Sequence, residues 1–201
     1  MSVNFIYLAS QSPRRRQLLE QLGVAYELLL PGPDEDAESL EAEIAGESPE
    51  HYVARVTEAK LEAALKRLKT RGLAPAPVLC SDTTVAIDQR ILGKPQDADD
   101  AFQTLSLLSG RSHRVITAVA IGLGERHTSA LNVSEVDFIE VPEEQIRRYI
   151  ASGEPFGKAG AYAIQSQAAA WISRIEGSYS GIMGLPLYET AQLLQRWDVV
   201  F

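Results

Sequence analysis

The chain contains one cysteine, Cys80, so no disulfide can form within it. Its three histidines, His51, His113 and His127, stand far apart and share no ligand spacing with Cys80, which argues against a structural zinc site. No apolar run approaches the roughly 20 residues needed to span a bilayer, and the N-terminus lacks the apolar stretch of a signal peptide. The expectation is a soluble chain in the reducing cytoplasm with no membrane partner. A basic excess is missing as well: the net charge of −8 disfavours nucleic acid as a partner and requires any phosphate to be met locally. The common nucleotide signatures are absent, because "LGKP" around Lys94 runs into proline where a phosphate loop needs Ser or Thr, and "GLGERH" at 122–127 lacks the third glycine of a dinucleotide fingerprint.

What is present is an ordinary apolar content of 45% in 201 residues, enough for one α/β unit spanning 1–201. Phe5 to Leu8 reads as a short buried strand. Ser12-Pro13 then reads as an N-cap and first helical position, with Leu18, Leu19 and Leu22 on one face and Gly23 as the stop. "AYELLL" reads as a second strand ending at Pro31-Gly32-Pro33. Residues 34–50 carry eight carboxylates (Asp34, Glu35, Asp36, Glu38, Glu41, Glu43, Glu47 and Glu50) and no Lys or Arg. Such a run reads as a solvated loop, with Asp34 and Glu35, nearest the strand end, as the exceptions.

Ser48-Pro49 repeats the capping signal and opens a helix to about Leu68, with Tyr52, Val53, Val56, Ala59 and Ala63 on its apolar side and Lys60 within it. "PVLCSDTTVAID" predicts a buried strand, a polar interruption and a second short strand. "GRSHRVITAVAIGLG" and "ALNVSEVDFIEV" predict an antiparallel pair. Helices are expected over 97–108, 142–151 and 186–196. The uneven alternation predicts a mixed, twisted sheet with helices on both faces.

Three stretches carry the chemistry. Arg14, Arg15 and Arg16 fill a first helical turn, where free N–H groups already present positive charge. Either they are solvated charges, or an anion offsets the repulsion, since guanidinium forks match phosphate oxygens and the helix terminus adds donors. "CSDTT" sets Asp82 among hydroxyls where a buried strand breaks off, as a catalytic acid or as a capping residue between strands. Lys60 and Lys94, taken by themselves, read as solvated lysines. "GEPFGKAGAYAIQ", 153–165, reads as a Gly-rich loop around Lys158 leading into a strand that ends near Gln165; with "EGSYSGIMGLPLYET" it forms either turns or the walls of a cleft.

Taken in order, "LASQSPRRRQLLEQLG", "SDTTV", "LGKP", "LSGRSHRVITAVA", "KAGAYAIQ" and "GSYSGIMGLPLYET" resemble the Maf family of nucleoside triphosphate pyrophosphatases nearly end to end. The resemblance implies a mixed α/β fold, similar to inosine triphosphatases, with a nucleotide cleft between two lobes. It also implies a homodimer, and hydrolysis of a nucleoside triphosphate to monophosphate and pyrophosphate with a divalent cation, Mg²⁺ or Mn²⁺. It implies Asp82 as the catalytic acid-base residue, Glu35 and Asp82 as holders of metal or water, and Ser10, Arg14, Arg15, Lys60, Thr83 and Lys94 around the substrate. Arg14, Thr83 and Ile164-Gln165 resemble the dTTP/UTP type, in which the Gln165 amide pairs with the O4/N3–H edge of the base. Gly157, Ala163 and Ser166 depart from that type. The alternative implied by the family is a nucleotide-binding regulator of cell division with low turnover.

Overall fold

A computed structural model describes residues 3–36 and 39–201, so Glu38 of the acidic run lies outside the described residues. The elements follow in the order β1 (Ile6–Leu8), α1 (Pro13–Gln21), β2 (Tyr26–Leu28), α2 (Pro49–Thr70), β3 (Val78–Ile87), β4 (Arg90–Leu92) and α3 (Ala98–Leu108). The second half contributes β5 (Ser112–Leu123), β6 (Arg126–Phe138), α4 (Glu143–Ala151), β7 (Ile172–Glu176), α5 (Tyr179–Met183) and α6 (Leu187–Arg196). The strands form one sheet in the order β2-β1-β3-β5-β6-β7, with β4 paired to β3. β1 lies parallel to β2 and β3, while all other pairings are antiparallel, so the expected mixed sheet is present.

Strand alternation distributes the core between two faces. In β3, Leu79, Val85 and Ile87 join the larger cluster with residues of α1, α3, α4, α5 and α6, whereas Val78, Cys80 and Ala86 pack under α2. Helices therefore cover both faces, unequally. Among the described residues α2 is the one α-helix on its side, and it covers that side with Val53, Val56, Leu61, Ala64 and Leu68. Ala59 and Ala63, expected on its apolar side, are only half-buried, and Ala63 borders a cleft. No helix among the described residues is long and apolar enough to cross a membrane.

Two local expectations fail. "VLCSDTTVAI" is one continuous ten-residue strand, not two strands around a break. Its polar centre survives because β5 pairs with it from Val78 to Ala86 along one edge, while the other edge pairs with β1 only as far as Leu79 and with β4 only from Val85. Residues 80–84 thus line an open stretch of sheet edge. Asp82 is in mid-strand, yet it lies beyond the carboxyl end of the parallel neighbour β1, where open α/β sheets bind ligands.

The second failure is at 159–165, which forms no strand. Gly160 at φ 68° and Ala161 at φ 60° turn the chain through the left-handed region, so "AGA" is a 3-10 turn and "YAIQ" follows as irregular chain.

Candidate active site

Two of the three arginines meet the carbonyl end of another helix. Arg15 Nε donates to the Gly184 carbonyl at 2.7 Å and Arg14 Nε to that of Met183 at 3.3 Å, both at the C-terminus of α5. Two guanidiniums at one helix start therefore face the negative end of a second. Arg15 also donates to Ser10 Oγ at 3.2 Å and to Thr83 Oγ1 at 3.4 Å. Thr117 Oγ1 gives its one proton to the Gly181 carbonyl at 2.8 Å, so in the 2.9 Å contact between Thr83 and Thr117 it is Thr83 that donates. This chain of hydrogen bonds ties α1 through β3 and β5 to α5. Arg15 is thus a structural cross-link, while Arg14 engages only its Nε and leaves both terminal nitrogens free among the described residues. Burial lowers the pKa of both guanidiniums. Arg16 does not reach the cleft.

Ser12 caps nothing with its hydroxyl; its backbone N–H instead donates to Ser10 Oγ at 3.2 Å. The first turn of α1 keeps its donors. By contrast Ser48 caps with its side chain, as its sequence pattern predicts, and Asp97, expected inside its helix, is the side-chain N-cap just before it.

Asp82 faces the α2 side of the sheet, where Lys60 Nζ donates to its Oδ1 at 2.6 Å. The same ammonium donates to Glu41 Oε1 at 2.8 Å, and Lys94 Nζ donates to Glu41 Oε2 at 2.7 Å. Burial works to raise the Glu41 pKa, but the hydrogen bonds from Lys60 and Lys94 outweigh it and leave the carboxyl below its ordinary value. Four of the groups therefore form one network, of which local pattern supplied Asp82, the family resemblance supplied Lys60 and Lys94, and neither supplied Glu41. Glu41 sits among look-alike acids, 19 and 53 residues from its partners, and nothing local distinguishes it.

Glu35 belongs to a separate network. Arg67 grips both its oxygens, at 2.9 Å and 2.6 Å to one of them, and the Gly32 N–H and Arg71 add to it. Hydrogen bonding from Arg67 leads in holding the Glu35 carboxyl down at about 2. The expected pairing of Glu35 with Asp82 as metal holders does not occur in this arrangement, and no cluster of three or more His, Cys, Asp or Glu suited to a metal occurs among the described residues.

All these groups border one cleft of about 840 Å³. It is also lined by Lys158 and by the apolar side chains of Tyr162, Ile164, Ile182 and Met183, which belong to one packed cluster. Lys158 is a further cation that the site reading left out. Burial lowers its pKa first, followed by the nearby charge of Arg14. Gln165 is exposed, one residue beyond the cleft-lining Ile164, and does not border the cleft.

Comparison with known proteins adds a family. The model of the family described as Maf-like protein matches residues 5–197. A dTTP/UTP pyrophosphatase of Albidiferax ferrireducens is 63% identical over 193 residues, 96% of each chain. One from Burkholderia pseudomallei is 60% identical over 202 residues, covering 100% of this chain and 97% of its own. The solved structure of the Staphylococcus aureus Ham1 protein overlaps 66% of this chain and 71% of its own at 14% identity and a TM-score of 0.42, a partial likeness without functional weight.

Proposed function

The chain belongs to the Maf family, and from that premise we propose that it hydrolyses the bond between the α and β phosphates of dTTP or UTP, giving monophosphate and pyrophosphate. The observation that carries the proposal is Asp82, a carboxylate held at 2.6 Å by Lys60 on an open strand edge, inside a cleft that also presents Arg14, Lys94 and Lys158. The near-identical length and the names of the relatives support the same reading. They do not favour the alternative of a low-turnover regulator.

Attack of water on phosphorus requires negative charge to be balanced on the phosphate oxygens and a base to take the proton. In our reading Asp82 receives that proton and Lys60 fixes its orientation. Arg14 presents its two free nitrogens to the phosphates, and the uncapped start of α1 adds backbone N–H donors. Arg15, Ser10 and Thr83 hold this wall in place. The base takes the apolar end lined by Tyr162, Ile164 and Ile182, and Gln165, one residue beyond Ile164, is the nearest amide in sequence to read its edge.

A divalent cation, Mg²⁺ or Mn²⁺, supplies charge neutralisation on the phosphate oxygens when bound. Asp82 fits that role: its Oδ1 already accepts a cationic group, and its Oδ2 has no hydrogen-bond partner among the described residues. Mg²⁺ commonly binds through one or two carboxylates with substrate phosphates and water completing the shell, so a single committed carboxylate suffices. Glu35 joins only by leaving Arg67.

The test is to incubate the purified protein with dTTP, UTP, CTP and purine triphosphates plus Mg²⁺ and to measure pyrophosphate. Release from dTTP and UTP ahead of the others is expected. Release of inorganic phosphate instead, or no turnover of any triphosphate, overturns the reading.

A further inference from the structure

Among the described residues Glu41 is the one carboxylate that touches both Lys60 and Lys94. One of its oxygens accepts from Lys60 at 2.8 Å and the other from Lys94 at 2.7 Å. Two oxygens on one central atom thus bridge two ammoniums, which is how a phosphoryl group would engage the same pair. We propose that Glu41 is a resident counter-anion, occupying on Lys60 and Lys94 the place of a substrate phosphoryl group, and that nucleotide binding exchanges the carboxylate for phosphate. The inference rests on the triphosphate reading above and deepens it by assigning how the polyphosphate end is selected.

Three observations support the exchange. The first is charge: Lys60, Lys94, Asp82 and Glu41 sum to zero, so this cluster is neutral and offers no free cation to an arriving anion. A polyphosphate entering beside Glu41 would add negative charge to a balanced cluster. The second is mobility of the right part. The backbone around Glu41 is anchored without its carboxylate, because Tyr52 Oη donates to the Glu41 carbonyl at 2.9 Å and Arg55 donates to the Ala42 carbonyl at 2.9 Å. Arg55 in turn is gripped by both oxygens of Glu47. The carboxylate can therefore rotate away while its turn stays docked on α2. The third is exposure: the Lys94 side chain is 52% exposed and that of Glu41 28%, so both can re-pair at the solvent side.

The consequence is discrimination by chain length. Inorganic phosphate gains little by replacing an anion that already satisfies the lysines. A triphosphate gains more, because its remaining phosphates also meet Arg14 and the start of α1. Glu41 thus raises the threshold for every anion and excludes short ones.

The experiment measures binding of tripolyphosphate and of inorganic phosphate by calorimetry in metal-free buffer, for wild type and Glu41→Gln, with melting curves alongside. The amide keeps the shape and removes the charge. Release of two partly exposed ion pairs predicts roughly five- to thirtyfold tighter tripolyphosphate binding, a narrowed preference over inorganic phosphate, and a parallel fall in KM for dTTP. Unchanged affinity overturns the proposal. Weaker affinity also overturns it, since it would mean that Glu41 holds the lysines in position for the ligand. A kcat collapse with unchanged tripolyphosphate affinity overturns it in favour of a catalytic carboxylate. Should Glu41→Gln not fold, Glu41→Asp serves: its shorter arm reaches one lysine only, and binding intermediate between wild type and full release is expected, with no gain as the contrary result. The binding arm does not depend on turnover, so absence of any triphosphatase activity would count against the proposed function and leave the exchange to be decided by calorimetry.

Discussion

Lys60 Nζ and Asp82 Oδ1 stand 2.6 Å apart, the ammonium carried by α2 and the carboxylate by the middle of β3. The contact joins the lone helix of one sheet face to the open edge of the sheet, and it gives Asp82 a fixed orientation without saturating it. Lys60 keeps a second partner in Glu41, so the ammonium is not orphaned when Asp82 is altered.

Asp82→Asn is therefore expected to fold normally, with a melting temperature close to wild type, and to lose at least about 10²- to 10⁴-fold in kcat, the usual share of a general base. Pyrophosphate release under saturating dTTP measures it. Turnover within threefold of wild type would remove Asp82 from the reaction.

Arg14 and Arg15 should separate cleanly. Arg15→Ala removes charged hydrogen bonds to the Gly184 carbonyl, Ser10 and Thr83 and is expected to cost about 1.5–3 kcal/mol of stability or more, read by denaturant titration. Arg14→Ala should change stability by less than about 0.5 kcal/mol and raise KM for triphosphate about tenfold or more. Equal effects of the two substitutions on stability would contradict the division.

Gly160 is boxed in. A Cβ there would come within 2.8 Å of Val85, at a backbone φ of 68°. Gly160→Ala is expected to cost about 1–2 kcal/mol from the left-handed backbone and about 1–3 kcal/mol more from overpacking. Because the Gly160 N–H donates to the Gly93 carbonyl at 3.1 Å, the Lys94 loop should loosen as well and KM should rise. Val85→Ala in the same chain should recover the packing part and not the backbone part.

His113 sets a pH dependence. Burial pushes its pKa down to about 4, against the smaller upward pull of Asp137, and its Nε2 shares a hydrogen bond with Tyr162 Oη at 2.8 Å. Between about 6.5 and about 4 the unfolded chain binds a proton that the folded chain refuses, so stability should fall as pH falls through that window and flatten below it. Melting curves from pH 7 to pH 4 test it. His113→Phe should lessen the slope while leaving the Tyr162 hydroxyl without its partner.

Gln165→Glu tests base reading. If Gln165 meets the base, a carboxylate there faces a carbonyl that it cannot donate to, and kcat/KM for dTTP and UTP should fall about ten- to a hundredfold relative to a purine triphosphate. A uniform drop across all triphosphates would place Gln165 outside the base site.

Helix starts were legible in the sequence because their signals are local: Ser48-Pro49 caps as its pattern says, and the helix expected from 97 begins at Ala98. The continuity of β3 was not, because hydroxyls and an acid in mid-strand look like a break unless one knows that the neighbouring edge is unpaired from Cys80 to Thr84. The 159–165 segment misled in the opposite way: its apolar content suggests a strand, while two left-handed residues forbid one. In the site, Asp82 stands out against an apolar run. Glu41 does not stand out among acids, and the role of Arg15 depends on a carbonyl 169 residues away.

That span has a bearing on synthesis. The Arg15–Gly184 contact closes a loop of most of the chain, and Val3 meets Asp198 in the same manner. On the ribosome, Arg14, Lys60, Asp82 and Lys94 all emerge long before the α5 carbonyls that anchor the start of α1. Until those last residues leave the exit tunnel, the first helix carries its arginines without their counter-dipole and the cleft lacks a wall. Such long-range closure is a late and slow event in folding. A chain truncated before α5 would thus carry Arg14, Lys60, Asp82 and Lys94 without the carbonyls that anchor the start of α1, and is expected to bind triphosphate more weakly than a chain that includes α5.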